Sequence, residues 1–310
     1  MVNIPAIDVE NVSLVKKKVT ILEDLSFSVD VSEVLGFFGG LEDGLEYVIP
    51  LLAGLIKPSK GRILVFGVNI AKRPKLLRSK IGIFSPAISF NLNMNLLSFI
   101  SFMTELYNYN VKEADKKLKE LSSILNINVE ARISIKNLSF LEKQRVMLLS
   151  VLFRDPDILL LDHPEICLDA SSMPYFIRYI RSLASVGKSV VWVSSNPDVI
   201  QSAADRILFL YNGHILKGGE VTPSYVEFTV GNVHIDSFTK LLTTLNLMWS
   251  FLDEQRLLVR VMNNPDMLDR FLTMAIRSGA VIENINVSTP NLTDIYLDLC
   301  RRARSDENII

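Results

Sequence analysis

Two cysteines in 310 residues, Cys167 and Cys300, are too few for a disulfide framework and too far apart for a thiolate metal site. A reducing compartment fits that scarcity. Charge of one sign is missing too: 33 Lys and Arg face 34 Asp and Glu, a formal net charge of -1. The chain as a whole makes no electrostatic case for nucleic acid or for an anionic membrane. No apolar run reaches the roughly 18 uncharged residues of a membrane span. The opening MVNIPAIDVENVSL carries acids early and no long apolar core, unlike a secretory leader. Repeats and low-complexity tracts are lacking, and His214 and His234 lie far apart, without partner spacing. What is there is apolar bulk: 49% hydrophobic against 22% charged residues, enough for a large core. The mean hydropathy of +0.28 fits either that core or additional buried interfaces.

EVLGFFG, DILLLDHPE and SVVWVSSN are short continuous apolar runs and predict buried strands. Helical segments separate them: residues 46–56, a stretch over 92–125, LSFLEKQRVMLLSVLFRDP opened by Ser139 and closed before Pro156, and SSMPYFIRYIRSLASVG ended by Gly187. That alternation predicts an α/β fold with a largely parallel sheet, helices on both faces and right-handed crossovers. RILFLYNGHIL reads as a hairpin through an Asn-Gly turn. After KGGEVTPS the order becomes β-α-β-β-α-β, a small α+β ferredoxin-like unit, and the amphipathic NLTDIYLDLCRRA closes the chain. The expected domains are 1–222 and 223–310.

GFFGGLEDGLEYVIPLLAGL has the outline of a phosphate-binding loop: an apolar strand, glycines, then a helix. Gly39 and Gly44 keep the bend. The positions that would carry a phosphate-binding Lys and a Mg²⁺-binding hydroxyl hold Leu45 and Glu46, and Glu42 and Asp43 add two more carboxylates. A carboxylate ~4 Å from a phosphate costs on the order of 4 kcal/mol at surface-like dielectric. Pro50, inside the helix that should face the phosphates, removes a backbone donor.

In order along the chain, DVENVSLVKKKVTILEDLSFSV, LLAGLIKPSKGRILVFG, LSFLEKQRVMLLSVLFRDPDILLLDHPEICLD and ADRILFLYNGHIL resemble the ATP-binding subunit of ABC transporters over nearly all of residues 5–220. The trailing unit with TPNLTDIYLDL resembles the C-terminal extension of exporter ATPases. The resemblance implies a P-loop NTPase domain with a parallel core, an antiparallel β subdomain and a helical subdomain. It also implies a role for each inherited position. Lys16 stands where an adenine-stacking aromatic is expected, and Pro86 where a Gln would hold Mg²⁺ and water. Phe140 and Leu141 replace the two signature glycines, leaving Ser139. Asp162 is the strand-end acid, His163 takes the place of the catalytic Glu, Asn196 that of the switch His, and Asp169 is retained. By this comparison Gly39, Gly44, Leu45, Glu46, Asp162, Ser139 and Asp169 are a vestigial nucleotide site, and His163, Asn196 and Pro86 vestigial catalytic positions. Asp162 reads most simply as a structural acid on local backbone; with Glu46 it could instead hold a bare divalent cation, and His163 could act as a base. Phe90, Leu92, Met94, Leu96, Leu97 and Phe99 fall where the family docks a permease, or they form the core of the helical segment.

The function implied is a pseudo-ATPase subunit of an ABC transporter, cytoplasmic and peripheral on the membrane, bound to a permease and to an active paralogue or a second copy. ATP and Mg²⁺ are expected to bind weakly or not at all, with no resident metal and no nucleic acid. A weak but real ATPase energising export, and a soluble scaffold outside transport, are the alternatives. In the family, two chains share two composite sites, each joining one chain's loop to the other's signature; this chain alters both.

Overall fold

The computed structural model describes residues 4–88, 93–128, 133–216, 225–233, 235–245, 247–253, 255–262, 265–288 and 292–305. The chain divides into two compact units, residues 1–221 with 296–310, and residues 222–295.

The first unit opens with a hairpin. β1 (Ile7–Lys16) and β2 (Val19–Val29) pair antiparallel and turn through Lys17 and Lys18, both at positive φ (48° and 68°). Two successive left-handed residues give the two-residue turn whose twist matches the strands. β3 (Val34–Gly39) is buried at every position. It leads into α1 (Leu45–Leu52), β4 (Lys60–Val65), β5 (Val68–Asn69), α2 (Pro74–Arg78) and β6 (Ile81–Phe84). Three helices come next: α3 (Leu96–Leu106), α4 (Val111–Ile124) and α5 (Phe140–Phe153). Alternation then resumes through β7 (Ile158–Asp162), α6 (Met173–Ser185), β8 (Ser189–Ser194), α7 (Pro197–Ala203), β9 (Arg206–Tyr211) and β10 (His214–Ile215).

These strands form a four-stranded antiparallel sheet, β2-β1-β4-β5, and a six-stranded sheet, β10-β9-β3-β8-β7-β6. In the larger sheet all neighbours are parallel except β9 and β10. Leu35 and Phe37, Val191 and Val193, and Leu208 and Leu210 share one apolar core with Leu45, Val48, Ile49 and Leu52 of α1. Parallel pairing brings the carboxyl ends of β3, β7 and β8 to one edge, where Phe38 pairs with Ser194 and Asp162 with Val193. In open α/β sheets that edge is where ligands sit.

Two local features differ from the sequence expectation. The helical stretch predicted over 92–125 is two helices, broken at Asn108 (φ 53°). Asn95 and Asn110 cap α3 and α4, accepting from the Ser98 and Glu113 N–H at 2.9 Å each. Asparagine tolerates the left-handed region and favours N-caps, so the break is local chemistry. α1 runs through Pro50 but stops two residues later, at Leu52.

The second unit contains β11 (Tyr225–Gly231), α8 (Ile235–Thr244), β12 (Met248–Phe251), β13 (Arg256–Met262), α9 (Pro265–Arg277) and β14 (Val281–Ser288). Its sheet runs β12-β13-β11-β14, antiparallel throughout, the ferredoxin-like arrangement of a β-α-β-β-α-β chain. Phe228, Val230, Phe238, Leu242, Val259 and Phe271 fill its own core. α10 (Leu292–Ser305) ends the described chain. From Tyr296 onward it groups with the first unit, whereas the sequence assigns the whole helix to the C-terminal domain; the contacts of Tyr296 described below are the reason. The expected 222/223 boundary and His234 lie outside the described residues. Among the described residues no helix is long and apolar enough to cross a membrane.

Candidate functional site

The glycine loop is closed by Asp43 from within it and by Tyr296 from α10. β3 ends at Gly39, where an added Cβ would run into the Leu210 carbonyl oxygen. Residues Leu41–Asp43 make one 3-10 turn, and Gly44 (φ 89°) starts α1. Asp43 is buried. Its Oδ2 accepts from the Gly40 N–H at 2.6 Å and from the Tyr296 hydroxyl at 2.5 Å, and its Oδ1 accepts from the Asn212 N–H at 2.9 Å. The Tyr296 hydroxyl also accepts from Gly40 N at 3.3 Å. A phosphate cradle works by presenting unoccupied backbone N–H groups; here Gly40 N–H is already engaged. Tyr296 lies edge-on to Phe38 (5.4 Å between centroids) and stacks on Phe209 (6.0 Å). Burial, then the Asp43 carboxylate, push its hydroxyl pKa well above the usual tyrosine range. Nothing in the sequence around Tyr296 signals this role.

Beside the loop, a cleft of about 240 Å³ gathers Leu45, Glu46, Pro86, Ala87, Asp162, His163 and Ile166. Residues singled out in three distant segments thus meet in one place. Leu45, only 1% exposed, is part of the core where a lysine would reach out, and Glu46 is exposed. Asp162 has side-chain partners rather than the local backbone partners expected. Its Oδ2 accepts from Ser85 Oγ at 2.7 Å and its Oδ1 lies 2.7 Å from His163 Nδ1. His163 sits in the left-handed region (φ 46°), with Nε2 3.3 Å from Ser195 Oγ. Burial opposes charging the ring, but the Asp162 hydrogen bond and the charges of Glu165 and Asp162 together outweigh it, and the His163 pKa is raised. Glu165, which no motif singles out, accepts from Ser194 Oγ at 2.5 Å and from Trp192 Nε1 at 3.3 Å. Among the described residues no group of three or more His, Cys, Asp or Glu gathers as a metal site.

The other polar residues expected at a nucleotide site have partners in local structure. Ser139 caps α5 reciprocally with Glu142: Ser139 N and Oγ donate to Glu142 Oε2 at 2.8 and 2.6 Å, and Glu142 N donates back at 3.4 Å. This is a capping box, and the bonds from Ser139 lower the Glu142 pKa. Phe140 and Leu141, where the resemblance leads one to expect two glycines, are 56% and 44% exposed. Asp169 Oδ1 accepts from Ser171 Oγ at 2.6 Å and Ser172 N at 2.8 Å; those bonds, Ser171's first, hold it well below the usual carboxylate range. Asn196 caps α7, accepting from Asp198 N at 3.1 Å and Val199 N at 3.3 Å. Lys16 Nζ lies 4.4 Å from the centre of the Tyr47 ring.

The apolar set of the helical segment divides. Leu96 and Phe99 are buried with Ile100 and Met103, an i, i+3, i+4, i+7 stripe that makes them core. Met94 is half-buried. Leu97 is 47% exposed, and Phe102 and Leu106 are exposed as well. Phe90 and Leu92 lie outside the described residues.

A parallel sheet with a glycine loop after its central strand, an acid ending the strand two places away and a helical segment between them in sequence is the architecture of an ATP-binding cassette. The family model for ABC transporters matches residues 22–165. A provisionally named ABC transporter ATP-binding protein of Pyrococcus furiosus is 30% identical over 228 residues, covering 70% of this chain and 81% of that protein. The chain belongs to the family of ABC transporter ATP-binding proteins. The linearmycin resistance ATP-binding protein LnrL of Bacillus subtilis matches nearly end to end: 23% identical, with 96% of this chain and 99% of that protein covered. The Nod factor export ATP-binding protein I of Neorhizobium galegae is 25% identical, and the chain spans 65% of its length. A solved ATP-binding subunit of an ABC transporter has the same fold, with a TM-score of 0.63 at 19% identity over 70% of this chain and 90% of that one.

Proposed function

We propose that this nucleotide-binding subunit does not hydrolyse ATP by itself and acts as a structural or regulatory member of a transporter, beside a permease and an active paralogue or a second copy. The observation that carries this reading is the closed loop. Its Gly40 N–H is engaged by Asp43 and Tyr296, and the two side chains expected to meet phosphate and Mg²⁺ are a core leucine and a carboxylate. ATP–Mg²⁺ does not fit these residues: Leu45 offers no charge, and Glu46 and Asp43 oppose polyphosphate at close range. Phe140 and Leu141 support the same reading, since their exposed apolar surface suits direct contact with a protein partner better than a shared nucleotide. Titration calorimetry of the purified chain with ATP–Mg²⁺ should give no saturable heat at micromolar concentrations; a clear micromolar isotherm would sink the proposal.

The names of two relatives concern Nod factor export and linearmycin resistance, which favours outward transport here, at the cytoplasmic face of the membrane. For the permease contact we propose Leu97, joined by Phe102 and Leu106, as the working part of the helical segment, because their apolar side chains are exposed. Leu97→Asp with Phe102→Asp should release the chain from membranes that contain its permease and leave the melting temperature nearly unchanged. Release without loss of Tm supports docking; unchanged membrane association removes it.

A further inference from the structure

We propose that the second unit binds a single-chain carboxylic acid, an acyl amphiphile, in the groove between α8 and α9. The groove has a volume of about 520 Å³, within the range of roughly 300–1,000 Å³ usual for small-molecule sites. Helical spacing builds it. Leu241 on α8 and Leu245 just past its end are one turn apart, the Leu245 N–H donating to the Leu241 carbonyl at 3.1 Å, and Arg270, Thr273, Met274 and Arg277 recur at i, i+3, i+4 and i+7 on one face of α9. Leu241, Leu245 and Met274 supply an apolar floor, and methionine adapts readily to a flexible chain.

Two arginines stand at this floor, two turns apart, about 10 Å along the axis. Both are exposed. Neither makes an ion pair or hydrogen bond among the described residues. Elsewhere in the same unit Arg256 is engaged, by Asp253 at 2.6 Å and Glu283 at 3.8 Å. Guanidinium groups with no partner among the described residues, beside apolar side chains, complement a ligand that has an acyl chain and one negative end. A guanidinium fork matches a carboxylate with two parallel hydrogen bonds. Asp269, exposed on the same rim, is next to Arg270 in sequence and offsets its charge. The Arg277 end is thus the more positive and the better seat for the head. The same carboxylate disfavours a doubly charged phosphate head more than a singly charged carboxylate. Nothing in this site depends on nucleotide.

The test is calorimetric titration of the whole chain with dodecanoate below its micelle concentration, with dodecyltrimethylammonium and dodecyl phosphate as comparisons. Saturable dodecanoate binding is expected, weakened about tenfold in Arg277→Gln by the loss of a charge-assisted bidentate contact. Arg277→Lys, which keeps the charge and loses the fork, should fall between. Both positions are exposed, and an unchanged melting curve verifies that the variants fold. Dodecanoate without saturable heat, equal binding of the cationic surfactant, or an affinity indifferent to Arg277 would each overturn the proposal. Tighter binding of dodecyl phosphate would overturn the carboxylate assignment. A dimer in sedimentation that Leu241→Asp dissociates, with no dodecanoate heat in the wild type, would assign the groove to a second copy instead.

Discussion

Removing one oxygen, in Tyr296→Phe, tests the closed loop directly. The ring stays, so its contacts with Phe38 and Phe209 stay and no cavity opens. Two hydrogen bonds go: the 2.5 Å bond to Asp43 Oδ2 and the 3.3 Å bond from Gly40 N. Asp43 keeps the Gly40 and Asn212 N–H groups at 2.6 and 2.9 Å, so its carboxylate is not orphaned. A hydrogen bond to a charged group contributes about 1.5–3 kcal/mol. The expected loss is about 2 kcal/mol, a fall in Tm of about 4–8 °C for a unit of this size. The pH dependence adds a second readout. Burial and Asp43 raise the folded-state pKa of Tyr296 above the ordinary value, which is about 10. A group raised in this way stabilises fully below its unfolded pKa and loses that contribution as pH climbs through the folded value. The stability gap between wild type and variant is therefore full at pH 7 and narrows above about pH 10. Thermal unfolding followed by circular dichroism at a series of pH values measures both. A variant that melts with the wild type at neutral pH, with no change in the gap under alkali, would show that Tyr296 does not brace the loop.

The double variant Leu45→Lys/Glu46→Thr should release no phosphate from ATP above background, because Pro86, His163 and Asn196 still stand at the other catalytic positions; measurable turnover would refute the reading of those positions. It should also melt lower, by about 2–4 kcal/mol of stability, since Leu45 leaves a packed core. A chain ending at Leu216 should fold cooperatively yet melt below Tyr296→Phe, because Phe38 and Phe209 lose the ring as well as Asp43 losing the hydroxyl. Insoluble or dye-binding protein would mean that the first unit has no stable core of its own, and an unchanged Tm would mean that α10 contributes nothing to it.

Much of the molecule is legible along the chain because its causes are local. Continuous apolar runs name β3, β7 and β8 as buried strands, since a strand covered on both faces is filled mostly by apolar side chains. Ser139 and Glu142, three apart, form a capping box, because orphan N–H groups at a helix start find partners within one turn; the break at Asn108 and Asn110 is equally local, but the helical periodicity on either side of it masks it along the chain. That positions 45 and 46 hold leucine and glutamate where a phosphate loop is expected to carry a lysine and a hydroxyl needs only the sequence. Tertiary structure alone decided the rest. Asp43 reads in sequence as one more repelling carboxylate; it is buried and bonded because Tyr296, 253 residues away, comes to it. His163 reaches Ser195 only because β7 and β8 are parallel neighbours in register. Leu96 and Leu97 are adjacent and equally apolar, yet one is core and the other surface, because helical rotation points them at different neighbours. Hydrophobicity and capping act over one to four residues, whereas strand register and side-chain packing join positions whose separation in sequence carries no signal.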